Sequence, residues 1–223
     1  MESHKVLGQW PMVALLLAGL VCAGDAAAQL ISGYPPNVDA FDPREVALLP
    51  RYCIYTQTFR DRVPGGADPV MIERWYADLG QTFHAMHHYC YGLMKTNRAV
   101  LLARDPSVKQ FYLADAVTEF DYVIERAPPD FVLLPEMLTK KGENLVLLGK
   151  APLAVLAFEQ AIEKKKDYWI AYARLSDYYK ETGDLRKARE TLERGLAAAP
   201  DAKLLERRLA ELGTAPERRS VKR

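Results

Sequence analysis

The amino-acid sequence predicts an all-α fold in which antiparallel helix pairs repeat along the C-terminal part of the chain. Small and apolar residues recur with a period of about 34 residues between positions 135 and 202. Within each unit the apolar residues are spaced by three and four positions, as on one face of a helix. No stretch shows the alternation of apolar and polar residues that is typical of a strand. These observations together favour a helical repeat protein.

The period is carried by residues of matching size at matching positions. In the second unit they are Tyr172, Leu175, Ser176, Tyr179, Gly183, Ala188, Leu192, Gly195, Leu196 and Pro200. In the first unit they are Leu138, Gly142, Leu145, Gly149, Ala154, Phe158, Ala161 and Ile162. A small residue such as Ala154 lets two helices approach closely, and Phe158, one turn further on, fills the space beside it. Gly149 and Gly183 are predicted to end the first helix of each pair in a left-handed conformation.

This pattern resembles the consensus of the tetratricopeptide-repeat (TPR) family, which has Leu-Gly, Tyr, Ala, Phe, Ala and Pro positions at the same period. The resemblance implies helix pairs stacked into a superhelix, with the first helix of each pair lining a concave groove. Lys141 and Lys166 depart from the consensus, because they stand where leucine and proline are usual.

An earlier unit at residues 81–134 is predicted to be a divergent helix pair. Its second helix has the family spacing, with Ala116, Phe120, Val123, Ile124 and Pro128. Its first helix is predicted to run unbroken from Gln81 to Ala103, which is longer than the consensus permits. Downstream, Asp201 is predicted to cap a final helix that covers the last repeat.

The first 28 residues have the layout of a secretory signal peptide. Lys5 precedes an apolar run at Met12–Gly24, and the small residues Ala26–Ala28 follow it. The run is shorter than the roughly 20 residues of a comfortable membrane span. We therefore expect cleavage after the last of these alanines, an exported chain in the periplasm or outside the cell, and no membrane span afterwards. A retained anchor and a lipid anchor at Cys22 are the alternatives.

The predicted organisation divides the chain into seven segments. They are a signal peptide at 1–28, an irregular and helical segment at 29–80, the divergent pair at 81–134, repeats at 135–168 and 169–202, a capping helix at 203–213 and a disordered basic tail at 214–223. In the second segment, short helices are expected around Pro43–Asp61 and Pro69–Leu79.

Export would leave two cysteines, Cys53 and Cys90. A pair of cysteines in an oxidising compartment suggests a disulfide, and two buried free thiols are the alternative. A bridge between them would close a loop of about 38 residues, for which the chain-entropy estimate is about 3 to 4 kcal/mol.

Charge and motifs exclude several functional classes. The net charge is +1, and it becomes +2 when Lys5 leaves with the acidic Glu2 and Asp25. A nearly neutral chain gives no electrostatic support for nucleic-acid binding. The sequence contains no G-x-S-x-G elbow, Walker A loop, G-x-G-x-x-G, H-E-x-x-H or haem-attachment motif. We predict a non-enzymatic protein without a cofactor.

The resemblance to TPR proteins implies that a protein partner, as an extended peptide or a helix, contacts the first helices of the two regular repeats. The matching positions are Glu136, Thr139, Glu143 and Val146 in one repeat, and Ile170, Ala173, Asp177, Lys180 and Glu181 in the next. The set leans acidic and lacks the Lys/Asn/Arg pattern of TPR domains that clamp a C-terminal carboxylate. A solvated groove, or one that the chain's own N-terminal segment covers, is the alternative, and self-association by stacked ends stays open.

A histidine cluster supports a second functional hypothesis. His84, His87 and His88 precede Cys90, and on one helix they would lie within a single turn. Imidazoles at this spacing bind Zn²⁺ or Cu²⁺. A periplasmic metal- or redox-linked protein that uses these histidines with Cys53 and Cys90 is therefore the alternative function. In the simpler interpretation, the histidines pack among aromatic residues or face water.

Overall fold

The computed structural model describes residues 41–214, and this part of the chain is all-α with no strand. The α-helices are α1 (Pro43–Val46), α2 (Pro69–Leu79), α3 (Met86–Asn97), α4 (Pro106–Ile124), α5 (Leu134–Leu147), α6 (Ala151–Lys164), α7 (Trp169–Glu181), α8 (Leu185–Ala198) and α9 (Lys203–Thr214). Short 3₁₀ helices cover Arg51–Tyr55 and Gly80–Ala85, and one π-helical turn covers Arg98–Leu102. The predicted fold class is confirmed.

The longer helices pack as neighbouring pairs in chain order. The most extensive contacts join α3 to α4, α5 to α6, and α7 to α8, and α9 packs on α8 and α7. Successive pairs are joined through α4–α5 and α6–α7, and α5 also contacts α7 directly. Because one first helix meets the next, the pairs stack into a TPR-like superhelix whose first helices share one side.

Close approach within a pair depends on a glycine that faces an aromatic ring. A Cβ built on Gly142 of α5 would lie 2.6 Å from the Phe158 ring of α6. The divergent pair has the same arrangement, since a Cβ on Gly92 of α3 would overlap the Phe120 ring of α4. Both phenylalanine rings are buried. The divergent pair therefore shares the packing of the regular repeat, although its first helix is placed differently in the sequence.

Glycines end the first helices as predicted. Gly149 and Gly183 have φ angles of 70° and 86°. After Gly149, the Lys150 N–H donates to the Leu145 carbonyl at 2.9 Å. After Gly183, the Asp184 N–H donates to the Tyr179 carbonyl at 2.9 Å. This six-to-one bond is the Schellman pattern, which satisfies the last carbonyls of a helix.

The prediction of one unbroken helix from Gln81 to Ala103 is wrong in its detail. Gly80 ends α2 with a φ of 60°, a 3₁₀ segment follows, and α3 begins only at Met86. At the other end the Ala103 N–H donates to the Arg98 carbonyl at 2.8 Å, which makes the last turn π-helical. The backbone stays helical throughout, but the changes in pitch rotate the side chains away from the positions that a single α-helix would give them.

The last helix begins where the predicted capping helix does, but its predicted capping residue, Asp201, is wrong. α9 begins at Lys203, and the Ala202 carbonyl accepts from Leu205 and Glu206 at 2.8 and 3.3 Å. The buried Ala202, and not Asp201, therefore occupies the position before the helix.

A disulfide joins the N-terminal segment to the helical array. Cys53 lies in the first 3₁₀ helix and Cys90 in α3, and their sulfurs are bonded with a Cα–Cα distance of 5.7 Å. Both cysteines are fully buried, and a stacked ring pair, Phe41 and Phe59, lies in the same apolar core. The predicted bridge is present, and the alternative of two free thiols does not hold in this structure.

Several predicted features lie outside the described residues. These are the signal peptide at 1–28, the stretch at 29–40 and the basic tail beyond Thr214. Within residues 41–214, none of the helices combines the length and the apolar character that a membrane crossing requires.

Replacing Gly142 by alanine is expected to lower the free energy of unfolding by about 1 to 3 kcal/mol, because the added methyl group must displace the buried Phe158 ring. Gly213→Ala is the matched control. It lies in α9, where an added Cβ meets nothing within 4 Å, and alanine is the better helix former by up to about 1 kcal/mol. Denaturant unfolding of both variants checks this, and equal stabilities for the two would contradict the packing argument.

Replacing both Cys53 and Cys90 by alanine is expected to lower the unfolding free energy by about 3 to 4 kcal/mol, because the unfolded chain regains the freedom of the closed loop. Since both sulfurs are buried, the native protein should also resist a thiol reductant until it unfolds. Urea unfolding with and without reductant measures both effects. Reduction at the same rate below and above the unfolding midpoint would show that the bridge is accessible.

Candidate functional site

A groove opens where the ends of successive first helices meet. Its volume is about 350 Å³, and it is formed by the end of α3 with its π turn, by α5 and by α7, over the α6 ring of Phe158. The lining residues are Thr96, Val100, Glu143, Val146, Leu147, Phe158, Arg174, Asp177, Tyr178 and Glu181. We call this surface the α5–α7 groove.

Apolar side chains are presented to solvent in the α5–α7 groove. Val100 is 53% exposed and Leu147 is 47% exposed, while Val146 and Tyr178 are half-buried. Val100 belongs to the π turn, whose next two residues, Leu101 and Leu102, are exposed as well. Exposed leucine and valine side chains in a concave surface are typical of a binding site, because covering them removes apolar area from water.

Ion pairs hold the charged side chains of the groove in place. Glu143 contacts Arg174 at 2.6 Å (Oε1 to Nε) and Lys140 at 2.9 Å (Oε2 to Nζ). Asp177 receives two hydrogen bonds from Arg208 of α9, at 2.8 and 2.6 Å. The chain of pairs runs from α5 through α7 to α9, so it also links the groove to the capping helix.

The groove is therefore less acidic than its sequence indicates. Cationic side chains from other positions neutralise Glu143 and Asp177. Glu181 is exposed and has no ion pair in the part of the chain that the structure describes. Glu181 is the carboxylate left to meet a positive charge on a bound molecule.

The predicted partner-binding residues separate into two groups. Glu143, Val146, Asp177 and Glu181 line the groove together. Residues outside its lining are Glu136, Thr139, Ile170, Ala173 and Lys180.

Two of the predicted contacts are buried and cannot touch a partner on this surface. Thr139 is 2% exposed, and its hydroxyl donates to the Pro135 carbonyl at 2.8 Å. Ala173 is 1% exposed. The consensus positions were assigned to the groove face, but the direct contact of α5 with α7 covers this part of it.

Glu136 lies in a different polar cluster, between α3 and α5. It accepts a hydrogen bond from the Tyr89 hydroxyl at 2.7 Å. Burial raises the pKa of Tyr89 well above its ordinary value, and the nearby negative charge of Glu136 adds to the rise. The pKa values of Tyr52 and Tyr168 are raised by the same two causes in the same order. The tyrosines of this cluster therefore stay protonated, and their side chains pack between the helices.

Several groove residues were not found from the sequence. Arg174 and Tyr178 occupy first-helix positions next to predicted ones, so an assignment of the face shifted by one residue would have included them. The sequence pattern did not indicate that Val100 lines the groove, because its exposure depends on a π turn that hydrophobic periodicity does not predict.

The three predicted metal-binding histidines do not converge on one point, although the His87 and His88 rings lie 4.3 Å apart. His84 lies in the 3₁₀ segment and contacts the Tyr76 hydroxyl, while His87 and His88 lie in α3. The change of pitch at Met86 removes the one-turn stacking of His84 over His88 that a single helix would give.

The other two histidines bond to separate acceptors. His87 Nδ1 donates to the His84 carbonyl at 3.0 Å, and His88 Nδ1 lies 2.6 Å from Glu119 Oε2. His88 also stacks on Tyr122, with ring centroids 3.8 Å apart. Within residues 41–214 no group of three or more His, Cys, Asp or Glu side chains is placed to hold a metal ion. Cys90 is bonded to Cys53, so neither sulfur is a thiolate ligand.

Comparison with known families bears on the same part of the chain as the groove. A family model described as Tetratricopeptide repeat matches residues 145–211, from the end of α5 into α9. Residues 145–211 are therefore similar to tetratricopeptide repeats. The match leaves out α3 and α4, so the divergent pair is assigned on its Gly92–Phe120 packing alone. A search of curated proteins found no match. TPR arrays are protein–protein interaction modules, and the family is generally non-enzymatic.

The free energy of unfolding is expected to decrease as the pH is lowered, and His87 accounts for part of this decrease. Burial lowers the pKa of His87, and the neighbouring His88 lowers it further. The unfolded state, with an ordinary histidine pKa of about 6.5, then binds a proton before the folded state does. The contribution of His87 is therefore complete above that value and is lost as the pH falls below it.

The measurement is the urea midpoint at pH 7.5 and pH 5 for the parent, for His87→Gln and for His84→Gln as the exposed control. His87→Gln should lose less stability between the two pH values than the other two proteins. An identical loss in all three would show that other groups account for the pH dependence.

Proposed function

We propose that this protein is an exported adaptor that binds a segment of an envelope protein in the α5–α7 groove and carries out no covalent step. The observation that carries the proposal is a concave surface on the first helices of the repeats that exposes Val100 and Leu147 beside the unpaired carboxylate of Glu181. Apolar contact supplies affinity for such a segment, and the charge supplies its orientation.

The groove is already organised for binding. Arg174 and Arg208 hold Glu143 and Asp177 in place through ion pairs to neighbouring helices. Side chains that are fixed before binding lose less conformational freedom when a partner arrives, at about 0.5 to 1.5 kcal/mol for each side chain. A peptide or helix can therefore bind to these helices without rearranging them.

The surface favours a particular partner chemistry. An aliphatic or aromatic side chain would cover Val100 and Leu147, and a lysine or arginine one or two turns away would face Glu181. The carboxylate-clamp pattern is missing from the first helices, so an internal segment fits better than a free C-terminus.

Export of the chain is supported by two observations. The first is the signal-peptide layout of residues 1–28, and the second is the buried Cys53–Cys90 bridge, since disulfides persist mainly in oxidising compartments. We infer that the protein works in the periplasm or outside the cell. An intact mass that begins at Gln29 would support this inference, and a mass that retains Met1 and the apolar run would refute it.

The adaptor function predicts that a photo-crosslinking residue at Tyr178, inside the groove, captures a discrete partner in living cells. The same residue at Glu193, exposed on α8 and away from the groove lining, is the positional control and should not capture that partner. Adding Val100→Ser and Leu147→Ser should reduce capture at Tyr178 about tenfold or more, because the exposed apolar surface is lost.

A matched control and three possible results of the crosslinking experiment test the groove as the binding surface. Leu153→Ser, a change of a similarly exposed leucine on α6, is the matched control and should leave capture intact. Equal capture at Tyr178 and Glu193, or capture that the double variant leaves unchanged, would overturn the groove as the binding surface. An adduct of twice the chain mass would identify a second copy as the occupant and would contradict an adaptor for other envelope proteins.

A further inference from the structure

A second concave site lies in the N-terminal segment, outside the region that the TPR family model matches. The cavity has a volume of about 600 Å³ and lies between the end of α1, the 3₁₀ helix at Arg51–Tyr55 and α2. This volume is within the range of about 300 to 1,000 Å³ that is usual for small-molecule sites. None of the residues that line it belongs to the α5–α7 groove.

Apolar and aromatic side chains form about half of the cavity wall, and polar atoms form the rest. Leu49 and Ile54 come from the N-terminal side, and Met71 and Trp75 come from α2. Trp75 also packs edge-on against Tyr52, with ring centroids 5.6 Å apart. The apolar part of a ligand could pack against these side chains and so be removed from water.

The charged groups at the cavity are all cationic. Arg51 and Arg74 line it, and none of its lining residues is an aspartate or glutamate. Both arginines are exposed, and Arg74 has only a long contact with Asp78, at 3.9 Å. This differs from the α5–α7 groove, where Arg174 and Arg208 are neutralised at short distance. Guanidinium groups that are not neutralised bind carboxylate or phosphate oxygens, often through two bonds.

One wall of the cavity is held in place covalently. Cys53 lies between Arg51 and Ile54 in the 3₁₀ helix, and its disulfide ties that helix to α3. A cavity whose walls are rigid before binding binds its ligand more tightly, because the protein loses less conformational entropy on binding.

We propose that this cavity binds a single-chain amphiphile, whose apolar chain packs against Leu49, Met71 and Trp75 and whose carboxylate or phosphate head pairs with Arg51 and Arg74. Apolar side chains beside two exposed arginines, of which Arg74 has only the long contact with Asp78, select an anion over a neutral or cationic molecule of the same chain. This second binding activity is independent of the adaptor function of the groove, because the two sites share no residues.

Calorimetric titration of the full chain with dodecanoate and with dodecyl phosphate, each below its micellar concentration, tests the proposal. Both should bind with one site per chain, and dodecyltrimethylammonium, with the same chain and a positive head, should bind at least about tenfold more weakly. Arg51→Gln and Arg74→Gln should each weaken dodecanoate binding about tenfold, since each removes a charge-assisted contact. Trp75→Phe keeps an aromatic ring in the wall and should weaken binding less than the double arginine variant.

Arg186→Gln, an exposed arginine on α8, is the matched control and should bind dodecanoate as the parent does. Both cavity arginines are exposed, so their variants are expected to fold, and unchanged thermal melts verify this. Equal affinity for the anionic and cationic amphiphiles would overturn the proposal, and so would unchanged affinity in Arg51→Gln/Arg74→Gln. Binding to anionic vesicles without binding to either monomeric amphiphile would also overturn it, because a headgroup in a bilayer leaves the apolar wall empty.

Discussion

Two helices in this protein approach each other closely because a glycine on one faces a phenylalanine ring on the other. Gly142 with Phe158 and Gly92 with Phe120 repeat this contact in consecutive pairs. Without a side chain at the glycine, the ring packs against the backbone, and the pair becomes a rigid unit with a defined angle. The α7–α8 pair has the buried Ser176 and Leu192 at the matching positions, so a small residue again faces a large one and the first helices line up on one side. The groove and its ion pairs follow from that alignment.

The regular repeats could be predicted from the sequence because their signals are local and periodic. Left-handed glycines such as Gly149, small residues such as Ala154 and large ones such as Phe158 specify helix ends and contacts within about 34 residues. The fold class followed from them. The disulfide could be anticipated as well, since the cleavage expected from the sequence would leave one possible pairing of cysteines.

What the sequence did not reveal depends on contacts between distant segments or on changes of helical pitch. The π turn at Arg98–Leu102 accompanies the buried pairing of Arg98 with Glu45, at 2.5 Å, and those residues are far apart in the chain. Val100 is exposed in the groove as part of that turn. The sequence also predicted a more acidic groove than the structure has. Arg208, which belongs to α9, neutralises Asp177 of α7 in the groove. Four of the residues predicted on the first helices do line the groove. Thr139 and Ala173 do not, because they are buried in the packed helices.

The disulfide near the beginning of the array gives its two ends unequal freedom. A solenoid whose units contact only their neighbours opens from its ends inward. At the N-terminal end, Cys53 is covalently tied to α3, so that segment cannot separate from the array. Fraying is therefore concentrated at α9, which also supplies Arg208 to the groove. When α9 detaches, Asp177 loses its two hydrogen bonds and keeps only the longer contact with Arg174, at 3.8 Å, so the groove becomes more negative. The covalently closed end and the open end therefore differ in stability, and opening of the latter changes the charge of the α5–α7 groove.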